Sequence, residues 1–296
     1  MHLHHPHPFF LETGIIYAML MKIPVVIHCH GVEITMKGWP NIFAQIYNNT
    51  LLRFDLMMSD RIVMHTHKLV ESSKLVKKYE NKVRILRSGV DTDWYAGKVK
   101  NSLKKELKIE NNKIILCVGQ LRDYKRIDIL IDAFCDINKE KINTQLIIVG
   151  KGDKENELKL QAEKLGLCDK IIFAGFVDDD KLLDYYSIAD VFVLPSPTIA
   201  EGFGLVALEA AAMEVPVIVT KGAGISEAFK TDKIGIVIEP SNIDAMKNAI
   251  LDVLKNPKKA NLDAKKAKNI IEKSSWKNLA IDYIKVYEEL IRFKRM

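Results

Sequence analysis

Short runs of Val, Ile and Leu alternate along the chain with longer stretches in which apolar residues recur every three or four positions. The short runs are typical of strands that are buried on both faces, and the longer stretches are typical of amphipathic helices. Because strands and helices alternate, the pattern predicts parallel sheets covered by helices. The predicted fold class is therefore α/β.

From residue 113 onward, the pattern predicts one complete doubly wound domain. Its predicted strands are 114–119, 145–150, 170–175, 190–195, 215–220 and 234–239. Its predicted helices are 126–138, 154–166, 179–188, 203–213, 224–230 and 242–254, and two more helices are expected over 258–272 and 276–293.

The first part of the chain predicts a second Rossmann-like domain. Its predicted strands are 25–30, 61–66 and 82–86, and its predicted helices are 9–21, 41–56 and 67–79. The segment MHLHH is compatible with the end of a further strand. An opening strand followed by a Gly-rich turn is not found, so we expect this domain to be incomplete. An apolar strand edge should then be uncovered near residues 24–30.

The polar, turn-like segment 88–102 predicts a linker between the two domains. The expected domains span 1–95 and 96–257. The C-terminal helices, 258–296, are expected to follow, with the last one crossing back to the first domain. We expect residues 1–95 to be the less stable half, since the pattern leaves their sheet incomplete.

The composition excludes several classes of protein. The 296 residues are 48% hydrophobic and 28% charged, which is enough to form substantial cores and excludes disorder. No apolar run reaches the roughly 18 to 20 residues of a membrane-spanning helix. The start of the chain lacks the pattern of a secretory signal. The four cysteines form no Cys-x-x-Cys pair, so reduced thiols and a cytoplasmic location are expected.

The formal net charge of +6 lies in the tail, because residues 251–296 carry twelve basic and six acidic residues. A basic helical tail can lie on anionic lipid at the inner membrane face, at about 1 kcal/mol per well-placed side chain. It can also be a solvated helix face, and we favour this interpretation because the basic residues alternate with Ile, Leu and Ala. Nucleic-acid binding is disfavoured, since no aromatic stacking pattern accompanies the charge.

The segment PSPTIAEGFGLVALEA, 195–210, predicts a phosphate site, because a loop there enters a helix near Phe203. A helix N-terminus offers free N–H groups and a positive dipole end, and Gly204 allows a ligand to approach the backbone. Glu201 stands at the mouth of this site. Glu209 follows about two turns later in an apolar run, where a carboxylate is costly without a partner. The alternative is a packing corner with a solvated Glu.

The segment VGQLRDYKRIDILIDAF, 118–134, places Gly119 at a strand end and Arg122 and Lys125 in the following turn. Cations in such a turn face the crevice where doubly wound folds bind ligands, and both side chains suit phosphate oxygens. The segment VGKGD contributes Gly150 after the next strand. It does not extend to the full Gly-x-Gly-x-x-Gly fingerprint, because residue 156 is Asn, and this disfavours a dehydrogenase.

These segments, followed in order by IIFAGFVDD, DVFVLPS, PVIVT and GAGISE, resemble the C-terminal domain of retaining GT-B nucleotide-sugar glycosyltransferases of family 4. In the first half, HHPHP, VVIHCHG, RIVMHT and RSGVDTDWY resemble the acceptor-binding domain of the same family. The resemblance covers essentially the whole chain. It implies a GT-B fold of two Rossmann-like domains, of which the first lacks its opening.

The resemblance also implies roles for single residues. Glu201 would contact the hydroxyls of the donor sugar, and His30 would lie near the reacting sugar. The backbone amides of Phe203, Gly204 and Leu205 would bind the diphosphate. Further donor contacts are implied for Lys125 with phosphate, Glu209 with the ribose, and Phe176 and Val177 with the base. The expected donor site also includes Gly119, Arg122 and Gly150. A strand-end role with no chemistry is the alternative for His30.

The chain departs from the family at two points. Gln120 stands where the family usually has Arg, so that either Arg122 supplies this charge or the phosphate site is weaker. Roughly eighty or more residues that open the family's first domain are also absent before MHLHH. A non-catalytic nucleotide-sugar-binding remnant is therefore an alternative to an active enzyme. A nucleotide-sugar 2-epimerase is disfavoured by the Glu-x7-Glu spacing of residues 201 and 209.

The expected reaction moves a sugar from a nucleoside diphosphate sugar to a hydroxyl of a glycan or lipid-linked acceptor, with retention of anomeric configuration. Cations and helix amides would stabilise the leaving diphosphate in place of a metal ion. We therefore expect no metal and no other cofactor. The four histidines of HLHHPHP suggest a metal cluster as an alternative. Pro6 and Pro8 break regular geometry there, so we favour a structural or acceptor-pocket role.

Overall fold

The computed structural model describes residues 1–36, 38–95, 102–197 and 203–295. The strands are β1 (His2–His5), β2 (Val26–Cys29), β3 (Arg61–Met64), β4 (Val83–Ile85), β5 (Lys113–Val118), β6 (Thr144–Val149), β7 (Ile171–Gly175), β8 (Val191–Leu194), β9 (Val217–Thr220) and β10 (Ile236–Ile238). The helices are α1 (Phe10–Leu20), α2 (Asn41–Asn49), α3 (Leu51–Met58), α4 (His67–Ser72), α5 (Lys74–Lys77), α6 (Thr92–Tyr95), α7 (Leu103–Glu106), α8 (Ile127–Asn138), α9 (Glu155–Lys164), α10 (Asp179–Ile188), α11 (Leu205–Ala212), α12 (Ser226–Asp232), α13 (Ile243–Lys255), α14 (Pro257–Ile271) and α15 (Trp276–Arg295).

The chain divides into two compact units, which are described separately. The first contains Met1–Gly89 and Trp276–Met296, and the second contains Val90–Ser275. Helix α15 belongs to the first unit because its Val286 and Leu290 pack with Val26 and Val63 of the sheet. Helix α14 belongs to the second unit, where it packs against α11. No helix of the described residues is both long enough and apolar enough to cross a membrane.

The first unit contains a four-stranded parallel sheet in the order β1-β2-β3-β4. All four residues of β2 are buried, as expected for a strand with neighbours on both sides and helices on both faces. The prediction of an uncovered edge near residues 24–30 is therefore wrong. Strand β1, formed by the initial histidine-rich segment, pairs with β2 from His2 opposite Val26 to His5 opposite Cys29.

Two helices predicted as continuous are each divided in the structure. The predicted helix 41–56 is α2 and α3, which meet at Thr50, whose hydroxyl donates a 2.6 Å hydrogen bond to the Ile46 carbonyl. The predicted helix 67–79 is α4 and α5. Ser73 interrupts it in an extended conformation, and its hydroxyl accepts a hydrogen bond from the Val76 N–H. Hydroxyl side chains that bond to nearby backbone groups favour caps over helix interiors.

The second unit contains a six-stranded parallel sheet in the order β10-β9-β8-β5-β6-β7. The chain runs outward from β5 through β6 to β7, then returns to the other side of β5 and continues from β8 to β10. Adjacent β5 and β8 thus flank the point where the strand order reverses. In open α/β sheets, ligands bind in the crevice beyond the carboxyl ends of the strands at such a point.

Candidate functional site

At the carboxyl end of β5, two glycines lie in close contact. Gly119 follows β5, and Gly150 follows the neighbouring β6. A Cβ atom on Gly150 would lie 1.9 Å from the Gly119 carbonyl oxygen, so no larger residue fits there without a shift of the backbone. A Cβ atom on Gly119 would lie 3.4 Å from the Nζ atom of Lys125. The ammonium group of Lys125 therefore lies across the end of β5.

The three cationic residues of the turn after Gly119 lie in different surroundings. Arg122 is exposed and lines a cavity of about 220 Å³ together with Lys154 and Gln161. Arg126 adopts a left-handed backbone with φ of 50°, and its guanidinium binds both carboxylate oxygens of Asp128 at 3.0 Å. Arg126 is thus bound by Asp128, whereas Lys125 lies at the strand end.

Helix α11 begins at the carboxyl end of β8. Gly204 precedes it in a left-handed conformation with φ of 84°, where a Cβ atom would lie 3.0 Å from Leu194 and 3.2 Å from Ile225. Phe203 is buried, whereas Leu205 is exposed. The first N–H groups of a helix point along its axis and carry the positive end of its dipole, so the N-terminus of α11 suits an anion. The predicted Glu201 lies outside the described residues.

Glu209 lies in the middle of α11 and has two tyrosine partners. The Tyr186 hydroxyl, on α10, donates a 2.8 Å hydrogen bond to the Glu209 carboxylate, and Tyr95 of α6 forms a second hydrogen bond to it. Burial raises the pKa of Glu209, and both hydroxyls act in the opposite direction by stabilising the carboxylate. The sequence indicates the need for a partner, but not these two, since they come from helices distant in the chain.

The predicted base-binding turn follows β7. Phe176 is 71% exposed and Val177 is partly buried. The Gly150 N–H donates a 2.7 Å hydrogen bond to the carbonyl of Gly175, which places the ends of β6 and β7 side by side. Gly119, Gly150 and Phe176 therefore follow three adjacent strands at one edge of the sheet, and an exposed aromatic ring there can stack on a flat base.

In the first unit, His30 is the exposed residue that follows β2. Its Nε2 atom lies 2.9 Å from Nδ1 of His4, and its Nδ1 atom lies 3.4 Å from Nε2 of His65. Burial and the neighbouring imidazoles lower the pKa of His30 to about 4, so its ring is neutral at pH 7. The sequence predicts His30 as a site residue, whereas His65 is placed beside it only by the parallel pairing of β2 and β3.

Two family models match nearly the whole chain. The model of "Glycosyl transferases group 1" matches residues 99–274, and that of "Glycosyltransferase Family 4" matches residues 1–94. An uncharacterized glycosyltransferase of Methanocaldococcus jannaschii, MJ1607, is 34% identical over 216 residues, which are 71% of this chain and 54% of that protein. The chain belongs to the group 1 family of glycosyl transferases.

Other relatives have named activities. N-acetyl-alpha-D-glucosaminyl L-malate synthase of Bacillus anthracis is 25% identical over 296 residues, or 99% of this chain and 75% of the relative. A GDP-mannose-dependent phosphatidylinositol monomannoside mannosyltransferase of Mycolicibacterium smegmatis is 30% identical over 59% of this chain and 48% of the relative. The chain thus matches about half the length of MJ1607 and of the mannosyltransferase.

Solved structures share the fold. Anabaena Alr3699/HepE, in complex with UDP and glucose, superposes with a TM-score of 0.81 at 20% identity, over 98% of this chain and 78% of that one. Sucrose-phosphate synthase from Thermosynechococcus elongatus gives a TM-score of 0.77 at 21% identity, over 98% of this chain and 73% of that one. The prediction of a GT-B-like α/β fold with two Rossmann-like parallel-sheet units is confirmed.

Proposed function

We propose that this chain acts as a glycosyltransferase, moving a sugar from a nucleoside diphosphate sugar to a hydroxyl acceptor with retention of anomeric configuration. The observation that carries the proposal is the arrangement at the reversal point of the second sheet. The Lys125 ammonium lies across the end of β5, and the N-terminus of α11 opens at the end of adjacent β8. Both supply positive charge at the place where such folds bind ligands.

In this proposal, the donor lies along that edge of the sheet. Lys125 and the backbone amides of α11 bind the diphosphate and stabilise the charge that develops on it as it leaves. Glu209 accepts hydrogen bonds from the ribose, and the turn at Phe176 contacts the base. These groups are preorganised, so the transfer is proposed to need no metal ion.

The sugar end of the donor is assigned to Glu201 and His30. Glu201 is proposed to hold the sugar hydroxyls and His30 to face the reacting sugar. The acceptor is proposed to be a hydroxyl of a glycan or of a lipid-linked molecule, in keeping with the named activities of the relatives. The site is proposed to work in the cytoplasm, with the basic C-terminal helices as a possible contact to anionic lipid.

A panel of UDP-sugars and GDP-sugars tests the proposal, because the names of relatives and solved structures include both nucleotides. A donor that binds the folded chain raises its melting temperature, by an amount that grows with donor concentration. The same donor, incubated with sugar and lipid-linked acceptors, should release its nucleoside diphosphate as a glycoside forms. Binding without any transfer would support the nucleotide-sugar-binding remnant, and no stabilisation by any donor would contradict both.

A further inference from the structure

Three histidines of the first unit converge at the carboxyl end of its sheet. His28 is the third residue of β2, His30 follows that strand, and His65 follows β3. The Nε2 atom of His65 lies 3.2 Å from Nε2 of His28 and 3.4 Å from Nδ1 of His30. All three nitrogen atoms lie within 4.8 Å of one another.

The hydrogen-bond partners of His65 assign its tautomer. Its Nδ1 atom lies 3.1 Å from the Ser88 hydroxyl and 3.2 Å from the carbonyl oxygen of Leu86. The carbonyl can only accept and the hydroxyl can also accept, so the tautomer that satisfies both partners carries its proton on Nδ1. The Nε2 atom of the neutral ring then directs its lone pair toward His28 and His30. The Nδ1 atom of His28 lies 2.8 Å from the Tyr283 hydroxyl. Metal-binding histidines are typically held in this way, with the second ring nitrogen on a carbonyl or another polar group.

The spacing of the ring nitrogens suits a transition metal. Zinc binds imidazole nitrogen at about 2.0–2.1 Å, so two ligands of a tetrahedral zinc site lie about 3.3–3.4 Å apart. The distances of 3.2 and 3.4 Å from His65 are close to this value. His30 is exposed, which leaves a route for an ion to enter.

We propose that His28, His30 and His65 bind one divalent transition metal ion of the zinc class, with a fourth position open to solvent. This departs from the expectation of no metal, which rested on cations and helix amides that stabilise the leaving diphosphate. The only histidine cluster weighed in the sequence was the initial HLHHPHP segment. Two of the ligands come from the end of β2 and the third from the end of β3, and the parallel pairing of these two strands brings His65 to the other two. The site lies in the first unit.

Metal binding at this site has a consequence for sugar transfer, which rests on the proposed function. His30 is the residue assigned to the reacting sugar, and a bound zinc ion would occupy its Nδ1 atom. Zinc is therefore expected to lower the transfer rate, and a chelator to restore it. The binding experiment does not depend on this consequence, since it measures the metal directly.

Calorimetric titration of the tag-free, chelator-treated chain with zinc chloride tests the proposal, together with visible absorption after addition of Co²⁺. We expect one zinc ion per chain and the intense absorption of tetrahedral cobalt. His30→Ala and His65→Ala should each weaken zinc binding at least about 10-fold, as loss of a metal-site partner does. His67→Ala, an exposed histidine at the start of α4, is the matched control and should leave the affinity unchanged.

His2→Ala separates this site from the neighbouring group of His2, His4 and His28, whose ring nitrogens also lie within 4.8 Å of one another. We expect His2→Ala to retain binding. Loss of binding in His2→Ala, or its full retention in His30→Ala, would overturn the assignment, as would the absence of both zinc binding and tetrahedral cobalt absorption. If His65→Ala does not fold, the exposed His30 still decides the outcome.

Discussion

Glu209 shows how a residue can serve both stability and binding. Its carboxylate lies in an apolar helix and accepts hydrogen bonds from Tyr186, which is fully buried, and from Tyr95. These hydroxyls offset part of the cost of burying a carboxylate. The orientation they impose would also present the carboxylate to a ligand with its rotamer already fixed, which lowers the entropy cost of binding.

Replacing Glu209 with Ala should weaken binding of bare UDP or GDP by about 10-fold or more, since a hydrogen bond to a charged group contributes about 1.5–3 kcal/mol. Tyr186→Phe is the control, because it removes the buried partner and keeps the carboxylate, so a smaller loss is expected.

Glu201→Ala should affect transfer, or binding of the intact sugar nucleotide, more than binding of the bare diphosphate. Calorimetry with both ligands measures this, and equal losses of diphosphate affinity in the two Glu variants would refute the division of roles.

Asp55 gives the first unit a pH dependence with a definite sign. Burial and the neighbouring carboxyl of Glu12 raise the pKa of Asp55 to about 7. The ordinary pKa of an Asp carboxyl is about 4. Between pH 4 and pH 7, Asp55 of the folded chain therefore holds a proton that the unfolded chain has released. The stability contribution of Asp55 is therefore present at low pH and is lost as the pH rises through 7.

Asp55→Asn should remove the contribution of Asp55 to the pH dependence of the free energy of unfolding. The free energy of unfolding of the variant, relative to the natural chain, should increase by about 2 kcal/mol between pH 5 and pH 8. Urea unfolding across this pH range measures the difference in the free energy of unfolding. The histidines are present in both chains, so their contributions to this difference largely cancel. Glu80→Gln, at an exposed position of the same unit, is the control. A difference independent of pH would contradict the assignment.

At the scale of elements, the alternation of apolar runs predicts most of the fold. Strands 114–119 and 145–150 of the prediction are Lys113–Val118 and Thr144–Val149 in the structure, because fully buried strands leave continuous apolar runs. The breaks at Thr50 and Ser73 are not predictable from such a pattern, since each depends on one hydroxyl bonding to the backbone.

The sequence also predicts part of the candidate site. Glycines and cations in turns after strands are visible in the sequence, and the structure places Gly119, Gly150 and Lys125 together. Partners from distant helices or strands leave no local pattern. Tyr186 and His65 therefore emerge only from the packing of α10 against α11 and from the pairing of β2 with β3.

Ser73 allows a direct test of the break between α4 and α5. Its hydroxyl caps α5 through the Val76 N–H and donates a 2.7 Å hydrogen bond to Glu33. Ser73→Ala should lower the free energy of unfolding of the first unit by about 1 kcal/mol, as loss of a helix cap typically does. Ser72→Ala, at an exposed neighbouring position, should cost less in the same urea titration. Equal costs would indicate that the cap does not stabilise the break.

At the scale of the whole molecule, the two units are expected to differ in stability. The first has a four-stranded sheet that contains buried histidines and lies beside the buried carboxyl of Asp55, whereas the second has a six-stranded sheet with extensive apolar cores. Buried ionisable groups cost free energy unless they remain neutral or find partners.

Native-state hydrogen exchange checks this expectation. Amides of β2 and β3 should exchange through openings of lower free energy than those of β5 and β6, which should approach the global limit. The comparison uses the intact chain and needs no variant. Equal and high protection in both sheets would contradict the difference in stability and would raise the expectation that the whole chain is active.

The most direct test of the proposed donor site compares two adjacent cations by calorimetric titration with UDP and GDP. Lys125 lies across the end of β5, whereas Arg126 is bound by Asp128. Lys125→Ala should lower the affinity for the nucleotide that binds by about 10-fold or more, the value of a charge-assisted phosphate contact. Arg126→Ala should change it little. Equal losses from both variants, or no loss from Lys125→Ala, would contradict the placement of the diphosphate at the reversal point of the second sheet.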